Sequence, residues 1–394
     1  MNAHAAQASG TQTAAIVTTL RNAGATLDSF IKYHLSVGFS HIFLFFDDPD
    51  DAGIEIARGR PNVTVIRHDA ELRRRWKRTR SYRMLGHVRR FIETEVMSRQ
   101  VLNAEVAIGL AADKGFDWLL HIDSDELFHA PGQSAGAHFR SLAERGVRHV
   151  TYPNHEAAPE TPDVADPFKE VTLFKKNPYT LSAGQMSDEQ KAVIEELPQL
   201  PDKFFFFYRN GKSAARVSEG LLPEGVHGFR VEDNFWSRLS RRYLGGGAKS
   251  PAGKVPWFSR RPAARPAPAE PAKIVSDNAC VLHYPCCGFA AFWNKYVTWG
   301  DFSDKWFGKM DIRERIGSFT LEARDVVLSG DREAAREFYK TRFVLGGEAD
   351  TERLIEGGLC SRFFEPSLIL AAAGAADAPA PPAERRREVA AQAL

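Results

Sequence analysis

The chain has 394 residues, of which 43% are hydrophobic and 26% are charged, and its formal net charge is +2. These values predict a soluble globular protein with enough chain for a sizeable core. The sequence contains no run of about 18 apolar residues, and residues 1–12 lack the charged-then-apolar order of a signal peptide. The composition therefore argues against a transmembrane segment, and we expect a cytoplasmic protein.

Strand and helix patterns alternate along the first third of the chain. Apolar runs predict strands at 14–17, 41–46, 62–67 and 117–122, and helical spacing predicts helices at 27–35 and 95–114. This alternation is typical of an α/β fold with a mostly parallel twisted sheet flanked by helices. Ligands of such sheets lie outside the carboxyl ends of the strands, so we expect residues 20–22, 47–48 and 123–126 to share one crevice.

A cluster of carboxylates follows the last of these strands. Asp123, Asp125 and Glu126 come directly after the apolar run 118–122. Carboxylates this close repel one another, and a hard divalent cation such as Mn²⁺ or Mg²⁺ relieves the repulsion by accepting oxygen ligands. Alternate residues of an extended chain point to the same side, so Asp123 and Asp125 can both reach one ion. The segment therefore predicts a metal site that can hold a diphosphate.

Several short motifs carry a family resemblance. They are Thr18-Thr19-Leu20-Arg21-Asn22, His34 with Gly38-Phe39, a strand ending in Asp47-Asp48, Gln100 with Asn103, and Asp123-Ser124-Asp125-Glu126-Leu127. In this order the chain resembles the family-2-like bacterial glycosyltransferases related to family 92, over residues 13–130 and more weakly over 203–300. The family has Asn-Glu where this chain has Asn22-Ala23, and Phe where it has Leu127. The resemblance implies a GT-A-like fold and a nucleotide-sugar donor.

Polar residues at the strand ends are candidates for nucleotide binding. The resemblance implies that the acid after the second strand accepts a hydrogen bond from the base or the ribose, and the choice between Asp47 and Asp48 is open. Residues after the first strand would hold the nucleotide edge, and two residues about one turn apart on the helix 95–114 can address the same face. These further candidates are Arg21, Asn22, Gln100 and Asn103.

The resemblance also implies a histidine far along the chain as a further metal ligand. His227, which follows the basic residues Lys212 and Arg216, ranks slightly ahead of His283, which precedes an aromatic helix. An inverting transfer needs a carboxylate base near the acceptor hydroxyl. Glu156, after the predicted strand 147–152, is the candidate, although the family has an aromatic and glycine-rich turn there.

The predicted function is metal-dependent transfer of a sugar from a nucleotide-diphosphate sugar to a hydroxyl of a glycan or glycolipid acceptor, with inversion implied by the resemblance alone. The metal would stabilise negative charge on the departing diphosphate. Two alternatives stay open. One is a non-catalytic protein that binds nucleotide sugars or glycans, which the missing glutamate after Asn22 allows. The other is a nucleotidyltransferase, which shares the sheet and the metal.

A basic segment suggests where an acceptor binds. Residues 73–90 carry nine Lys or Arg around Trp76 and Tyr82. Such a local positive field favours an anionic acceptor or peripheral contact with the inner membrane surface, although a solvated helix face is the commoner explanation. No recognised nucleic-acid-binding pattern surrounds the segment, so nucleic acid is not expected as a partner.

Composition divides the chain into five parts. We expect a disordered N-terminus at 1–12, a GT-A-like catalytic domain at 13–244 and a Pro/Ala/Arg-rich loop at 245–273. Residues 274–370 are expected to complete the domain with aromatic helices, which add a C-terminal helical part, and 371–394 to form a disordered tail.

Overall fold

The computed structural model describes residues 12–24, 26–177, 186–197, 200, 211–231, 272–316 and 318–377. Its strands are β1 (Ala14–Leu20), β2 (His41–Phe46), β3 (Val63–Arg67), β4 (Trp118–His121), β5 (Glu126–His129), β6 (Val147–Tyr152), β7 (Asn154–Ala157), β8 (Leu173–Lys175), β9 (Lys212–Arg216), β10 (Leu221–Glu224), β11 (Gly228–Val231), β12 (Ala272–Val275), β13 (Cys280–His283), β14 (Lys305–Trp306), β15 (Met310–Asp311) and β16 (Cys360–Arg362).

Its helices are α1 (Thr26–Ser36), α2 (Gly53–Ala57), α3 (Ala70–Arg78), α4 (Arg80–Met84), α5 (Gly86–Arg90), α6 (Val96–Asp113), α7 (Ala135–Glu144), α8 (Pro167–Glu170), α9 (Asp188–Glu195), α10 (Phe289–Trp299), α11 (Ile312–Ile316), α12 (Phe319–Leu328), α13 (Arg332–Phe343), α14 (Glu348–Glu356) and α15 (Glu365–Asp377).

The central sheet has seven strands in the order β12-β6-β9-β4-β1-β2-β3. The pairs β4–β1, β1–β2, β2–β3 and β12–β6 are parallel, whereas β9 runs antiparallel to both β4 and β6. Every residue of β1 and β2 is buried, as expected for strands covered on both faces. The predicted α/β class with a mostly parallel sheet is therefore confirmed.

Helices cover the two faces of the central sheet. On one face, Phe30 of α1 and Phe139 of α7 join a core cluster with Trp118 of β4. On the other face, Leu102 of α6 and Trp76 of α3 join a second core cluster. These helices form because their apolar residues recur on one side, which the sheet then removes from water.

A five-stranded sheet, in the order β16-β8-β7-β13-β5, lies beyond the central sheet. Strand β13 pairs antiparallel with β5 and parallel with β7, which sets His283 opposite both Glu126 and Glu156. The sequence patterns predicted no such sheet. Its pairings bring three distant segments of the chain to one end of β4.

The last third of the described chain is mainly helical, as predicted. In α10, Phe292 and Tyr296 are buried in a cluster with Tyr339 of α13. Helix α15 continues to Asp377, into the segment predicted to be a disordered tail, because its alanines favour a helix and Leu370 is buried. The Pro/Ala/Arg-rich segment is outside the described residues except for its last two positions, which belong to β12. Within the described ranges, the structure contains no helix with the length and apolar character needed to cross a membrane.

Candidate functional site

The candidate site lies where the connections of the central sheet diverge. From β1 the chain continues to β2 and β3 on one side, whereas β4 leads to β9 and β6 on the other. In open α/β sheets the crevice at such a switch point, outside the carboxyl ends of the strands, is the usual ligand site. Asn22, Asp47 and Asp123 follow the ends of β1, β2 and β4, which are neighbouring parallel strands, so these residues lie at the same edge of the sheet.

A buried lysine organises the carboxylates after β4. The Lys212 ammonium forms ion pairs with Asp123 and with Glu126, and its Nζ lies 3.3 Å from Glu126 Oε2. Gln100 Nε2 donates to the other oxygen of Asp123 at 3.0 Å, and the Asp123 backbone N–H donates to Glu126 Oε2 at 2.7 Å. The Lys212 and Glu126 side chains are each only 1% exposed. The turn between β4 and β5 is therefore fixed by a network inside the protein.

The charges of this network shift one another's pKa. Burial raises the pKa of Glu126 to about 7, although Lys212 opposes the shift. Burial also raises the pKa of Asp123, but the ammonium outweighs it and leaves this pKa below its ordinary value. Burial lowers the pKa of Lys212, but Asp123 and Glu126 outweigh it and leave the pKa above its ordinary value. Lys212 is thus held as a cation.

Asp125 faces different partners from Asp123. Its Oδ2 lies 3.7 Å from His283 Nε2 and 3.6 Å from Lys295 Nζ. Burial raises the pKa of Asp125, but Lys295 and His283 outweigh it and hold the pKa well below its usual range. The Asp125 side chain is 36% exposed, against 16% for His283, so it forms the open side of the cluster.

A chain of hydrogen bonds orients His283. Glu156 Oε2 lies 2.7 Å from His283 Nδ1, and Asn154 donates to the other oxygen of Glu156. Asn177 Nδ2 donates to Asn154 Oδ1 at 3.1 Å. With Nδ1 bound to a carboxylate, the ring presents Nε2 to Asp125. A carboxylate behind a histidine in this way is the usual support of a metal-binding imidazole.

His227 belongs to the same cluster but is placed differently. It lies in the turn between β10 and β11, and burial together with the charge of Lys212 lowers its pKa to about 4. The charges of Asp123 and His283 also act on it. The ion pair with Asp125, however, belongs to His283. Which of the two histidines binds the metal stays a prediction.

The other side of the crevice is built around Asp47. Arg99 binds its carboxylate through two nitrogens, Nε at 2.5 Å and Nη2 at 2.8 Å. Asp48 accepts from the backbone N–H of Asp50 at 3.0 Å. Asn22, at a positive φ of 53°, donates from its side chain to Thr298 Oγ1 at 2.9 Å, and Arg21 beside it is exposed. These four candidates therefore follow the ends of β1 and β2, and their contact with a nucleotide stays a prediction.

Three predicted positions need correction. Asn103 is 2% exposed, and its amide binds Trp76 and Thr19, so it joins α6 to α3 and β1 and does not share a surface with Gln100. Gln100 binds Asp123 and not an open nucleotide edge. Glu156 lies in strand β7, is 4% exposed and has both oxygens occupied, which does not suit a base that must reach an acceptor hydroxyl.

Comparison with known proteins finds two sequence relatives from the same plant. The chain is 27% identical over 369 residues to a glycosyltransferase-like protein of Arabidopsis thaliana, covering 90% of this chain and 62% of that protein. It is 33% identical over 221 residues to a second glycosyltransferase-like protein of the same plant, covering 54% of this chain and 48% of that protein. The chain is similar to glycosyltransferase-like proteins. It spans less than two thirds of the length of either relative.

Comparison with solved structures and with protein-family models gives no narrower assignment. Among solved structures, the chain is similar to core-mannan synthase A of Aspergillus fumigatus in its Mn/GDP form, with 13% identity and a TM-score of 0.25, covering 56% of this chain and 63% of that chain. No protein-family model matches. The general class expected from the motifs thus agrees with the names of the sequence relatives, and the narrower assignment to family-2-like proteins related to family 92 stays a prediction.

The side chains around Asp125 can be compared with those expected to bind a divalent cation. Asp125 offers a carboxylate oxygen and His283 a ring nitrogen, both typical ligands of Mn²⁺. In the described ranges no group of three His, Cys, Asp or Glu residues is arranged to hold a metal ion. Asp123 is engaged by Lys212 and Gln100. The side chains that would hold a divalent cation are therefore Asp125 and His283.

Three charged residues of the site were not predicted as site residues. Lys212 was noted only as part of a basic pair before His227, and neither Lys295 nor Arg99 was proposed as a site residue. Each of them lies far along the chain from the acid that it binds. Lys212 is 89 residues from Asp123, and Arg99 is 52 residues from Asp47. Lys212 begins β9, and Arg99 and Lys295 lie within helices, so no local sequence pattern marks them as site residues.

The basic segment forms the three short helices α3, α4 and α5. Trp76 is 1% exposed and packs in the core, so it cannot stack on a ligand. Arg73 pairs with Glu93 at 2.7 Å, and Arg74 pairs with Glu71 at 2.7 Å. Part of the local positive charge is thus neutralised within the segment. The expectation of an anionic acceptor there stays a prediction.

Proposed function

We propose that the protein is a metal-dependent glycosyltransferase that transfers a sugar from a nucleotide-diphosphate sugar to a hydroxyl of a glycan or glycolipid, with inversion at the anomeric carbon. The observation that carries the proposal is the position of Asp125 at the switch point of the sheet, beside His283 and Lys295. The names of the two plant relatives support the same class.

In this proposal Asp125 and His283 hold Mn²⁺ or Mg²⁺, which when bound supplies positive charge to a departing diphosphate. Asp123, fixed by Lys212, shapes the turn that presents Asp125. Glu156 orients His283 and is not the base. On the other side of the crevice, Asp47 or Asp48 accepts a hydrogen bond from the nucleoside, and Asn22 and Arg21 border it.

The test is a thermal-shift screen of UDP-, GDP-, CMP- and dTDP-sugars with and without Mn²⁺. A ligand at 100 times its Kd stabilises the folded state by about 2.7 kcal/mol, so the donor that binds raises the melting temperature. We expect a shift that needs the metal and that Asp125→Asn abolishes. Asp113→Asn, at an exposed position at the end of α6, is the matched control.

Product analysis separates the alternatives. Release of free sugar and nucleoside diphosphate supports the glycosyltransferase, and NMR of an early product reports inversion. Release of pyrophosphate from a nucleoside triphosphate and a sugar phosphate identifies a nucleotidyltransferase instead. Metal-dependent binding of a donor without any turnover, with or without added acceptors, identifies a binding protein. A normal shift in a folded Asp125→Asn variant would overturn the metal assignment.

A further inference from the structure

Lys295 places a positive charge beside Asp125, the residue proposed to hold the metal. It lies on α10, its side chain is 28% exposed, and its Nζ is 3.6 Å from Asp125 Oδ2. The same ammonium lies 5.1 Å from the centre of the Trp299 ring, one helical turn further on. It therefore rests between a carboxylate and an aromatic face that is 48% exposed.

Two groups compete for one oxygen of Asp125. His283 Nε2 lies 3.7 Å from this oxygen on one side, and Lys295 Nζ lies 3.6 Å from it on the other. A histidine ring that has lost its Nε2 proton offers a lone pair to a metal, whereas an ammonium group has three donors and no lone pair. A divalent cation at Asp125 would thus keep His283 as a partner and repel Lys295.

The surroundings decide where the displaced ammonium can go. Helix α10 is held in place by buried Phe292 and by the hydrogen bond from Asn22 to Thr298, so the flexible lysine stem must move while the helix stays. The two neighbouring acids have other partners. Asp123 binds Lys212 and Gln100. Glu156 binds His283 and Asn154. The anion that arrives with the metal is the donor's diphosphate.

We infer that Lys295 is a diphosphate-binding residue that the metal displaces: it neutralises Asp125 before the divalent cation binds and turns to the diphosphate afterwards. This inference rests on the proposed function. It assigns two opposed effects to one side chain, because Lys295 hinders the binding of the bare cation and assists the binding of the nucleotide. A lysine with a purely structural role would weaken both when it is replaced.

The test measures both effects in Lys295→Met. Titration of Mn²⁺ alone, followed by electron paramagnetic resonance of the free ion, is expected to give about tenfold tighter binding than wild type, since no ammonium then competes with the ion for the Asp125 carboxylate. Titration of UDP, GDP, CDP and dTDP at saturating Mn²⁺ is expected to give about tenfold weaker binding of the nucleotide that wild type binds, because a charge-assisted hydrogen bond is lost. Lys295→Arg should restore the nucleotide affinity in large part.

Lys309→Met, at an exposed lysine of the same C-terminal part, is the matched control and should change neither affinity. Lys295→Gln provides a second neutral variant if Lys295→Met does not fold. An unchanged or weaker Mn²⁺ affinity in a folded neutral variant overturns the inference, and so does an unchanged nucleotide affinity. Failure of wild type to bind any of the four nucleotides would instead overturn the proposed function, whereas the Mn²⁺ titration alone still measures the competition at Asp125.

Discussion

Replacement of Lys212 by methionine tests whether the buried charge network holds the site together. Methionine keeps much of the length of the side chain but removes the ammonium that pairs with Asp123 and Glu126. Glu126 would keep the Asp123 backbone N–H as a donor, and Asp123 would keep Gln100. Both carboxylates would then lie at the end of β4 without their shared counterion.

The expected loss is large compared with the whole stability of a domain. At an effective dielectric constant of about 20, a unit charge pair at the 3.3 Å between Lys212 and Glu126 corresponds to about 5 kcal/mol. Removal of one partner of a buried pair typically costs about 3–5 kcal/mol. We therefore expect Lys212→Met to lower the free energy of unfolding by about 3–5 kcal/mol, out of a total of about 5–15 kcal/mol for a typical protein.

Urea unfolding followed by circular dichroism and tryptophan fluorescence measures this loss. Lys191→Met removes a surface ion pair with Asp188, in which both side chains are more than half exposed, and should leave the free energy of unfolding nearly unchanged. Once Lys212 is gone, Glu126 should be protonated, because burial already raises its pKa to about 7 with the ammonium present, so the double variant Lys212→Met/Glu126→Gln should lose no more than Lys212→Met. A loss in Lys212→Met as small as that in Lys191→Met would refute the reasoning.

Two further predictions concern the fold that carries the site. His34 is buried in α1, its Nδ1 lies 2.8 Å from Phe30 O, and burial lowers its pKa to about 3, below the ordinary 6.5. The stability that the neutral His34 ring contributes is complete above pH 6.5 and is lost as the pH falls towards 3. Between pH 7 and pH 5 the free energy of unfolding of wild type, measured in urea, should therefore fall by about 2 kcal/mol more than that of His34→Gln. Parallel pH profiles of the two proteins would contradict this. Gly211, just before Lys212, has a φ of +59° and a Cβ there would collide with the Tyr152 carbonyl, so Gly211→Ala should cost at least about 1–3 kcal/mol. Gly109→Ala on α6, where a Cβ meets nothing within 4 Å, should instead stabilise the protein by up to about 1 kcal/mol. Equal effects of the two substitutions would show that the Tyr152 carbonyl and the positive φ do not restrict residue 211 to glycine.

The strands and helices of the first third of the chain could be predicted because each depends on local spacing. β2 was predicted at its observed limits, and β1, β3, β4, α1 and α6 were predicted close to theirs. Parallel strands end on the same edge of the sheet, so the order of these elements also indicated that Asn22, Asp47 and Asp123 lie near one another. Those inferences needed only hydrophobic periodicity and the geometry of α/β connections.

The partners of the site carboxylates could not be predicted in the same way. The choice between His227 and His283 depends on the register of β13 against β5 and β7, which sets His283 beside Glu126 and Glu156. A shift of one residue would turn His283 to the opposite face, and nothing in the local sequence fixes that register. Glu156 was predicted as a base that follows the strand 147–152, whereas it lies within the four-residue strand β7.

The sequence by itself determined that this is an α/β protein with acidic residues at the carboxyl ends of its strands, because burial and periodicity act over a few residues at a time. Only the tertiary structure decided that Lys212 neutralises Asp123, that His283 and Lys295 flank Asp125, and that Asn103 is a core residue. Those assignments depend on contacts between residues that are distant along the chain, and ion pairs over such distances are set by strand pairing and helix packing and not by any local pattern.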